Sequence, residues 1–130
     1  MELTMRKNIS SGSAWEAKIG YSRAVVANGL VFVSPTAATG PDGKIAGKGD
    51  VFAQTKLILQ KVGEVLADAG SSYENVVQTK IYLTDISKWQ EAAKANAEFF
   101  ADIRPALGIF HVKPFVDPEI LVEVEIIAFV

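Results

Sequence analysis

The chain has 130 residues, of which 49% are hydrophobic, with 13 Lys and Arg against 15 Asp and Glu. This length favours one domain, residues 1–130, with one hydrophobic core. The net charge of −2 without a basic strip argues against nucleic acid as a partner, while the absence of Cys and the single His exclude disulfides, thiolate sites and a histidine metal cluster within one subunit.

The first ten residues, MELTMRKNIS, carry charges but lack the apolar run of a signal peptide. No uninterrupted apolar stretch of about 18 residues occurs, as a membrane span would need. We therefore expect a soluble, cytoplasmic protein without a membrane partner.

Residues 23–34, RAVVANGLVFVS, predict a β-hairpin. The dipeptide Asn28-Gly29 separates two β-branched and aromatic runs, and it tolerates the positive φ angles of a tight primed turn. The segment 40–49, GPDGKIAGKG, is glycine-rich and predicts a turn and loop.

The pattern becomes helical after this loop, with Asp50 as the predicted N-cap and Gly70 as the stop. Apolar residues follow three- and four-residue steps at Ile58, Val62, Val65, Leu66 and Ala69. The period predicts one amphipathic helix of about five turns.

A strand at 76–84 leads to a second helix, for which Asp85 or Ser87 is the predicted cap. This helix carries Trp89, Ala92, Ala93, Phe99 and Phe100. The chain then returns as a strand at 106–112, turns at 115–119 and closes with a strand at 120–130.

The element order predicts an α+β fold in which two helices cover one face of a mixed sheet. In the last strand the two faces alternate between Val122, Val124, Ile126 and Ala128 on one side and Glu123, Glu125, Ile127 and Phe129 on the other. Since neither face is fully polar, we expect the uncovered face to pack against other copies of the chain. This predicts a closed homo-oligomer with sites where subunits meet.

The sequence resembles the Rid family (YjgF-like, formerly endoribonuclease L-PSP) over nearly its whole length. The resemblance is carried by IGYSRAV at 19–25, GLVFVS at 29–34, the long stretch from DVFAQTK to DISKW at 50–89, RPA at 104–106 and LVEVEIIA at 121–128. It implies a chorismate-mutase-like subunit, a homotrimer and three clefts between subunits. In the best-known branch these clefts hydrolyse enamines and imines derived from amino acids, without metal or organic cofactor.

Three polar features of that branch are replaced in this sequence. Its substrate-binding arginine and the following serine correspond to Leu107 and Gly108, and its serine-glycine pair corresponds to Ser34-Pro35. Proline has no N–H to offer a ligand. The helix-2 asparagine corresponds to Ala93, and the turn at 115–119 is one residue longer.

Glu123 corresponds to the glutamate that holds and polarises water in the family. A carboxyl group among Val122, Val124 and Ile127 has the surroundings that raise a pKa, which suits proton transfer to nitrogen as a C–N bond breaks. The alternative is a structural carboxylate that pairs with a Lys or Arg across an interface. Glu125 is interpreted as structural.

Tyr21 and Trp89 correspond to aromatic walls of the family's cleft. A phenol can hydrogen-bond a ligand while its ring lines the pocket, and plain packing is the alternative for Tyr21. For Trp89 the alternative is a first-turn anchor of the second helix in the core.

Arg23 is predicted to face the same side as Tyr21 and is a candidate replacement for the missing guanidinium. A solvated or interfacial ion pair is the competing interpretation. Arg104 is interpreted as structural near the end of the second helix. His111 is interpreted as packing or subunit contact rather than as a base.

These residues leave two main functions open, with a small-molecule ligand as the partner in both. One is a retuned enamine or imine hydrolase, and the other is a trimer that binds a metabolite without catalysis. Ribonuclease or translation-inhibitor activity is less favoured because the chain is acidic. Removal of one partner from a buried charge pair costs roughly 2–5 kcal/mol of binding free energy. Because Leu107 stands where the family's arginine pairs with the substrate carboxylate, we expect poor turnover of ordinary 2-imino acids.

Overall fold

The computed structural model describes residues 6–130. Residues 1–5, the first half of the N-terminal stretch MELTMRKNIS, lie outside the described residues, and the prediction that this stretch is not a signal peptide falls partly on them. Six strands occur within residues 6–130: β1 (Lys7–Ile9), β2 (Ala24–Ala27), β3 (Leu30–Thr36), β4 (Val76–Leu83), β5 (Ala106–His111) and β6 (Val122–Phe129). The α-helices of the same range are α1 (Ala14–Ile19), α2 (Val51–Asp68) and α3 (Trp89–Phe100). Short 3₁₀ turns precede β4 and α3, at Tyr73–Asn75 and Ile86–Lys88.

The strands form one mixed sheet in the order β1-β2-β3-β6-β4-β5. Only the β4–β5 pair is parallel among the pairings within residues 6–130. The α+β class and the mixed sheet predicted from the sequence are confirmed. β5 forms one edge of the sheet and lies three positions from β3. Residues on β5 and residues on β3 are therefore separated within one subunit.

The predicted hairpin turn is confirmed. Asn28 and Gly29 have φ angles of 52° and 80°, as a two-residue primed turn requires. The register pairs Val26 with Val31 and Ala27 with Leu30 directly around it. The turn therefore fixes which residues of β2 and β3 face the core.

α2 covers one face of the sheet, where it packs on β3 and β6 and against α3. Asp50 caps it by accepting a 2.9 Å hydrogen bond from the N–H of Ala53, and Gly70 follows its last turn with a φ of 80°. Ile58, Val62 and Leu66 are fully buried along the predicted stripe. Within residues 6–130 no helix has the length and apolar character needed to cross a membrane.

The predicted cap of the second long helix is wrong in detail. Asp85 accepts hydrogen bonds from the N–H and the hydroxyl of Ser87, which close the 3₁₀ turn at Ile86–Lys88. α3 itself begins at Trp89, after Lys88, without a side-chain cap. Asp85 thus shapes the turn that leads into the helix.

The two faces of β6 differ as its alternation predicts. Val122, Val124, Ile126 and Ala128 are buried beneath the helices. No helix of residues 6–130 covers the opposite face of the sheet. There Phe32, Phe110 and Phe129 remain 43%, 44% and 46% exposed in the isolated subunit. This uncovered apolar face is the surface expected to pack against other copies.

Candidate functional site

A wide cleft of about 1340 Å³ opens beside the end of β3. Its walls come from the segment around α1, the end of β3 with the loop that follows, and the exposed side of α2. Tyr21, Arg23, Ser34 and Glu123 all line it. Four of the predicted site residues therefore meet within one subunit.

An irregularity in β3 gives the cleft its shape. Val33 pairs with Ile126 and Thr36 with Val124, so β3 has one residue more than β6 between these pairs. Ser34 and Pro35 occupy this bulge, where proline's missing N–H costs no ladder hydrogen bond. The Ser34 hydroxyl donates a 2.8 Å hydrogen bond to the Ser22 carbonyl, which ties the bulge to the hairpin.

Arg23 reaches across this bulge. Its Nη2 donates a 2.7 Å hydrogen bond to the Pro35 carbonyl, and its guanidinium carbon lies 5.6 Å from the ring centre of Tyr21. Arg23 forms no salt bridge with a carboxylate of residues 6–130. The competing interpretation of Arg23, a solvated or interfacial ion pair, concerns contacts outside the subunit and stays a prediction.

The short helix α1 brings Tyr21 to the cleft. Gly20 ends the helix with a φ of 92°, and the N–H groups of Gly20 and Tyr21 both donate to the Glu16 carbonyl. The Glu16 side chain accepts bonds of 2.9 and 2.6 Å from the N–H and hydroxyl of Ser11. Burial alone would raise the pKa of Glu16, but these hydrogen bonds outweigh it and hold the pKa below its usual value.

Glu123 is one of four acidic residues that line the cleft, with Glu64, Asp68 and Asp117. Its side chain is partly buried and forms no hydrogen bond or salt bridge with the residues at 6–130. Burial raises its pKa, and the positive charge of Arg23 opposes part of that rise. A carboxyl group with a raised pKa keeps its proton to a higher pH than an ordinary carboxyl group, and with free oxygens it can both donate and accept a proton.

Glu125, two residues further along β6, has a different environment. It accepts a hydrogen bond from the Tyr82 phenol, whose ring stacks on Phe110 at 5.6 Å between centres. Burial and this contact raise the pKa of Tyr82 to about 12, so the phenol keeps its proton. The structural interpretation of Glu125 agrees with this contact.

Two side chains of α2 hold the loops beside the cleft. Lys61 donates 3.0 Å bonds to the carbonyls of Ala37 and Thr39. The buried Gln54 amide donates to Glu119 and accepts from Leu121. Because Leu121 stands two residues before Glu123, Gln54 fixes the chain that delivers the acid.

The other predicted site residues lie elsewhere in the subunit. Leu107 and Gly108 are on the edge strand β5, Trp89 opens α3, and none of them lines this cleft. Trp89 is 46% exposed, so its alternative interpretation as a core anchor is wrong. His111 is exposed at the end of β5, while Arg104 follows α3 with a φ of 59° and donates its N–H to Phe100.

The packing of Phe110 explains why a glycine stands at position 108. A Cβ at this position would lie 2.6 Å from the end of the Phe110 ring, which folds back over the glycine. A serine there would require the ring to move. The replacement of serine by glycine and the placement of Phe110 are therefore coupled.

Sequence reasoning missed Glu16, Lys61 and Gln54. Ser13 and Glu16 have the spacing of a capping box, and Ser13 does cap α1 by accepting from the Trp15 N–H, so this signal was available. Lys61 and Gln54 carry no local signal, because their partners are 22 to 67 residues away in sequence, apart from the Gly47 carbonyl seven residues before Gln54. No group of three or more acidic, His or Cys side chains in the described range is arranged to hold a metal ion.

Comparison with known proteins gives a consistent match over this fold. The family model described as Endoribonuclease L-PSP matches residues 11–130. A RutC family protein of Synechocystis is 32% identical over 110 residues, which cover 83% of this chain and 84% of that protein. Reactive Intermediate Deaminase A of Arabidopsis thaliana is 32% identical over 111 residues, which cover 84% of this chain and 59% of that protein.

Solved structures share the whole architecture. A Mycobacterium tuberculosis protein described as a member of the YjgF/YER057c/UK114 family superimposes with a TM-score of 0.87 at 39% identity, covering 97% of this chain and 100% of that one. YyfA of Yersinia pestis, described as belonging to the conserved Rid protein family, gives 0.86 at 30% identity with the same coverage.

Proposed function

The chain belongs to the endoribonuclease L-PSP family, also called the Rid or YjgF-like family, and we propose that it hydrolyses a reactive enamine or imine other than the usual 2-imino acids. The observation that supports this most is Glu123, a partly buried carboxyl group with a raised pKa and no partner within residues 6–130 at the cleft. Burial of an unpaired carboxyl group lowers the stability of the fold, and carboxyl groups with shifted pKa values are concentrated at functional sites.

The proposed reaction needs one proton carrier and one water. Protonated Glu123 donates to the imine nitrogen, and the carboxylate that remains accepts a proton from the water that attacks the carbon. A C–O bond forms, and Glu123 returns the proton to nitrogen. The C–N bond then breaks with loss of ammonia, the carbonyl group forms, and the hydroxyl proton passes to the Glu123 carboxylate, which restores the protonated acid. An enamine first takes a proton on carbon to become the imine.

We propose that the working site is completed in a homotrimer. Leu107 and Trp89 lie toward the β5 side of the subunit, away from Glu123, and their exposed apolar surfaces of 49% and 46% would close the cleft of a neighbour. The uncovered sheet face with its three exposed phenylalanines supports this assembly. Sedimentation at micromolar concentration tests it, and a monomer would contradict it.

The substrate preference follows from position 107. An ordinary 2-imino acid has a carboxylate next to the reacting carbon, and Leu107 provides no charge for it there. The Arabidopsis relative is named a reactive intermediate deaminase, which supports the reaction class but not a particular substrate.

Imine hydrolysis by the purified protein tests this function. An amine or amino acid oxidase generates each imine, and semicarbazide traps what remains. We expect activity on at least one imine outside the usual 2-imino acids, lost in Glu123→Gln and kept in Glu125→Gln, whose amide oxygen can still accept from Tyr82. Activity that survives in Glu123→Gln would contradict the role of Glu123.

A binding protein without catalysis is the second candidate. Pro35 at the cleft gives no backbone donor, and Leu107 gives no charge, so two polar features of the catalytic branch are absent. A folded trimer that leaves every imine of the panel unhydrolysed would favour this function. Nuclease activity has less support because the net charge is −2.

A further inference from the structure

The guanidinium of Arg23 is held at the cleft by one hydrogen bond and has no anionic partner within residues 6–130. Nη2 has one bond to Pro35, the ring of Tyr21 covers one side, and Nε is buried without a hydrogen-bond acceptor among the described residues. Buried charged donors are normally paired, so this arrangement needs an explanation. The side chain is also partly removed from water, which strengthens its attraction for an anion.

The position of Arg23 relative to Glu123 defines the size of the gap between them. The Arg23 carbonyl accepts from the N–H of Ser34, so Arg23 extends β2 beside β3, and β3 in turn lies beside β6. Two strand spacings amount to about 9–10 Å between the backbones. The two side chains form no salt bridge with each other, although the charge of Arg23 acts on the pKa of Glu123.

From this geometry we infer that Arg23 is the anion-binding residue of the cleft, and that the ligand carries a carboxylate at one end and a carbonyl or imine group at the other. The carboxylate lies against Arg23, and the carbonyl or imine group lies toward Glu123. The inference rests on the proposed function only in taking this cleft as the ligand site. It places the anion on the β2–β3 wall instead of at position 107.

Arg23 is suited to this task by its fixed orientation. A guanidinium presents paired N–H donors that match both oxygens of a carboxylate, and the bond to Pro35 together with the Tyr21 ring restricts its rotamers before a ligand arrives. Pro35 contributes through its carbonyl, which accepts the bond from Nη2 and sets the direction of the fork.

Calorimetric titration with two matched probes tests the inference. 4-Oxopentanoate has a carboxylate and a ketone at opposite ends, and 4-oxopentanamide has the same shape without charge. We expect the wild type to bind the carboxylate about tenfold or more tightly than the amide. Arg23→Gln removes this preference, while Arg23→Lys retains part of it because the charge remains.

Arg6→Gln is the matched control, because Arg6 is exposed, bonds to Asn8 and to no other residue of 6–130, and does not line the cleft. Equal affinities in the wild type, no binding of the carboxylate, or a preference that survives in folded Arg23→Gln would each overturn the inference. Glu123→Gln separates it from the proposed function: loss of turnover with an intact preference for the carboxylate supports both. Turnover that survives in Glu123→Gln contradicts the hydrolase role alone.

Discussion

The Nη2 atom of Arg23 and the carbonyl oxygen of Pro35 lie 2.7 Å apart, so a hydrogen bond holds a positive charge at a fixed place on the cleft wall. Glu123 experiences that charge without pairing with it, and its pKa results from two opposing effects. Burial raises the pKa, and Arg23 lowers it by a smaller amount.

Replacement of Arg23 by Gln should therefore raise the pKa of Glu123 further. The burial contribution stays, while the opposing charge is removed. A titration of the Glu123 side-chain carboxyl carbon by NMR measures this shift directly. Arg6→Gln should leave the titration unchanged, and an unshifted midpoint in Arg23→Gln would show that the charge of Arg23 does not reach the acid.

Glu123 should also make stability depend on pH. Its folded-state pKa lies above the unfolded value, so its favourable contribution is complete below the unfolded pKa and disappears as pH rises through the folded one. Glu123→Gln cannot ionise, so at pH 7 it should gain stability relative to the wild type, and this advantage should shrink as the pH falls towards 4. Urea unfolding at several pH values checks the trend; a constant difference would contradict it.

The elements with a clear period were predictable from the sequence. The hairpin around Asn28-Gly29, the stripe on α2 and the alternation of β6 follow from local rules, and the structure has all three. β1 and α1 were missed because three and six residues are too few to show a period. Resemblance, not periodicity, brought Tyr21 and Ser34 together with Glu123.

The remaining features of the site depend on contacts between distant segments. The bond from Arg23 to Pro35 requires the β3 bulge, and no spacing rule places that bulge opposite β6. Similarly, the parallel pairing of β4 and β5 decides that Leu107 stands at the sheet edge, on the opposite side of Glu123 from Arg23. Such placements result from tertiary packing and not from local propensity.

Gly63 permits a close contact between α2 and the ring of Tyr73, and a substitution at Gly63 tests this packing. The Tyr73 phenol donates a 2.6 Å bond to the Leu59 carbonyl, and a Cβ on Gly63 would lie 2.6 Å from the ring carbon that carries the hydroxyl. Gly63→Ala should lower the free energy of unfolding by about 1–2 kcal/mol, since the clash exceeds the gain in helix propensity. Chemical denaturation measures it.

A double-mutant cycle separates the clash from other effects. In a Tyr73→Ala background the ring is absent, so Gly63→Ala should be neutral or stabilising there. The same loss of stability in both backgrounds would show that Tyr73 is not the cause.

Gln54 should be essential for the order of the loops at the cleft. Its amide bonds with the carbonyls of Gly47 and Glu119 and with the N–H of Leu121 while fully buried. Gln54→Leu therefore removes the partner of the Glu119 carbonyl and of the Leu121 N–H, while the Gly47 carbonyl keeps its bond from the N–H of Asp50. We expect a loss of about 2–4 kcal/mol in the free energy of unfolding. Gln60→Leu, at an exposed position of the same helix, is the control and should change stability little.

Leu107 gives the sharpest test of specificity, because a single substitution there should restore the missing charge. Leu107 is 49% exposed on the edge strand, so an arginine fits without disturbing the core. If β5 of one subunit closes the cleft of the next, the new guanidinium can pair with the carboxylate of a 2-imino acid while Glu123 supplies the proton. Leu107→Arg should then raise kcat/KM for 2-iminobutyrate by about thirtyfold or more.

Leu107→Gln is the control for that gain, since it has similar reach and no charge, and it should stay at the wild-type level. A rise in both variants would show that polarity alone is sufficient, and the loss of a cation at position 107 would not explain the substrate preference. Wild-type turnover of 2-iminobutyrate at the level of Leu107→Arg would contradict the claim that the missing cation at position 107 limits the turnover of 2-imino acids. The gain should also vanish in the double variant Leu107→Arg, Glu123→Gln, because binding the carboxylate cannot replace proton transfer to nitrogen.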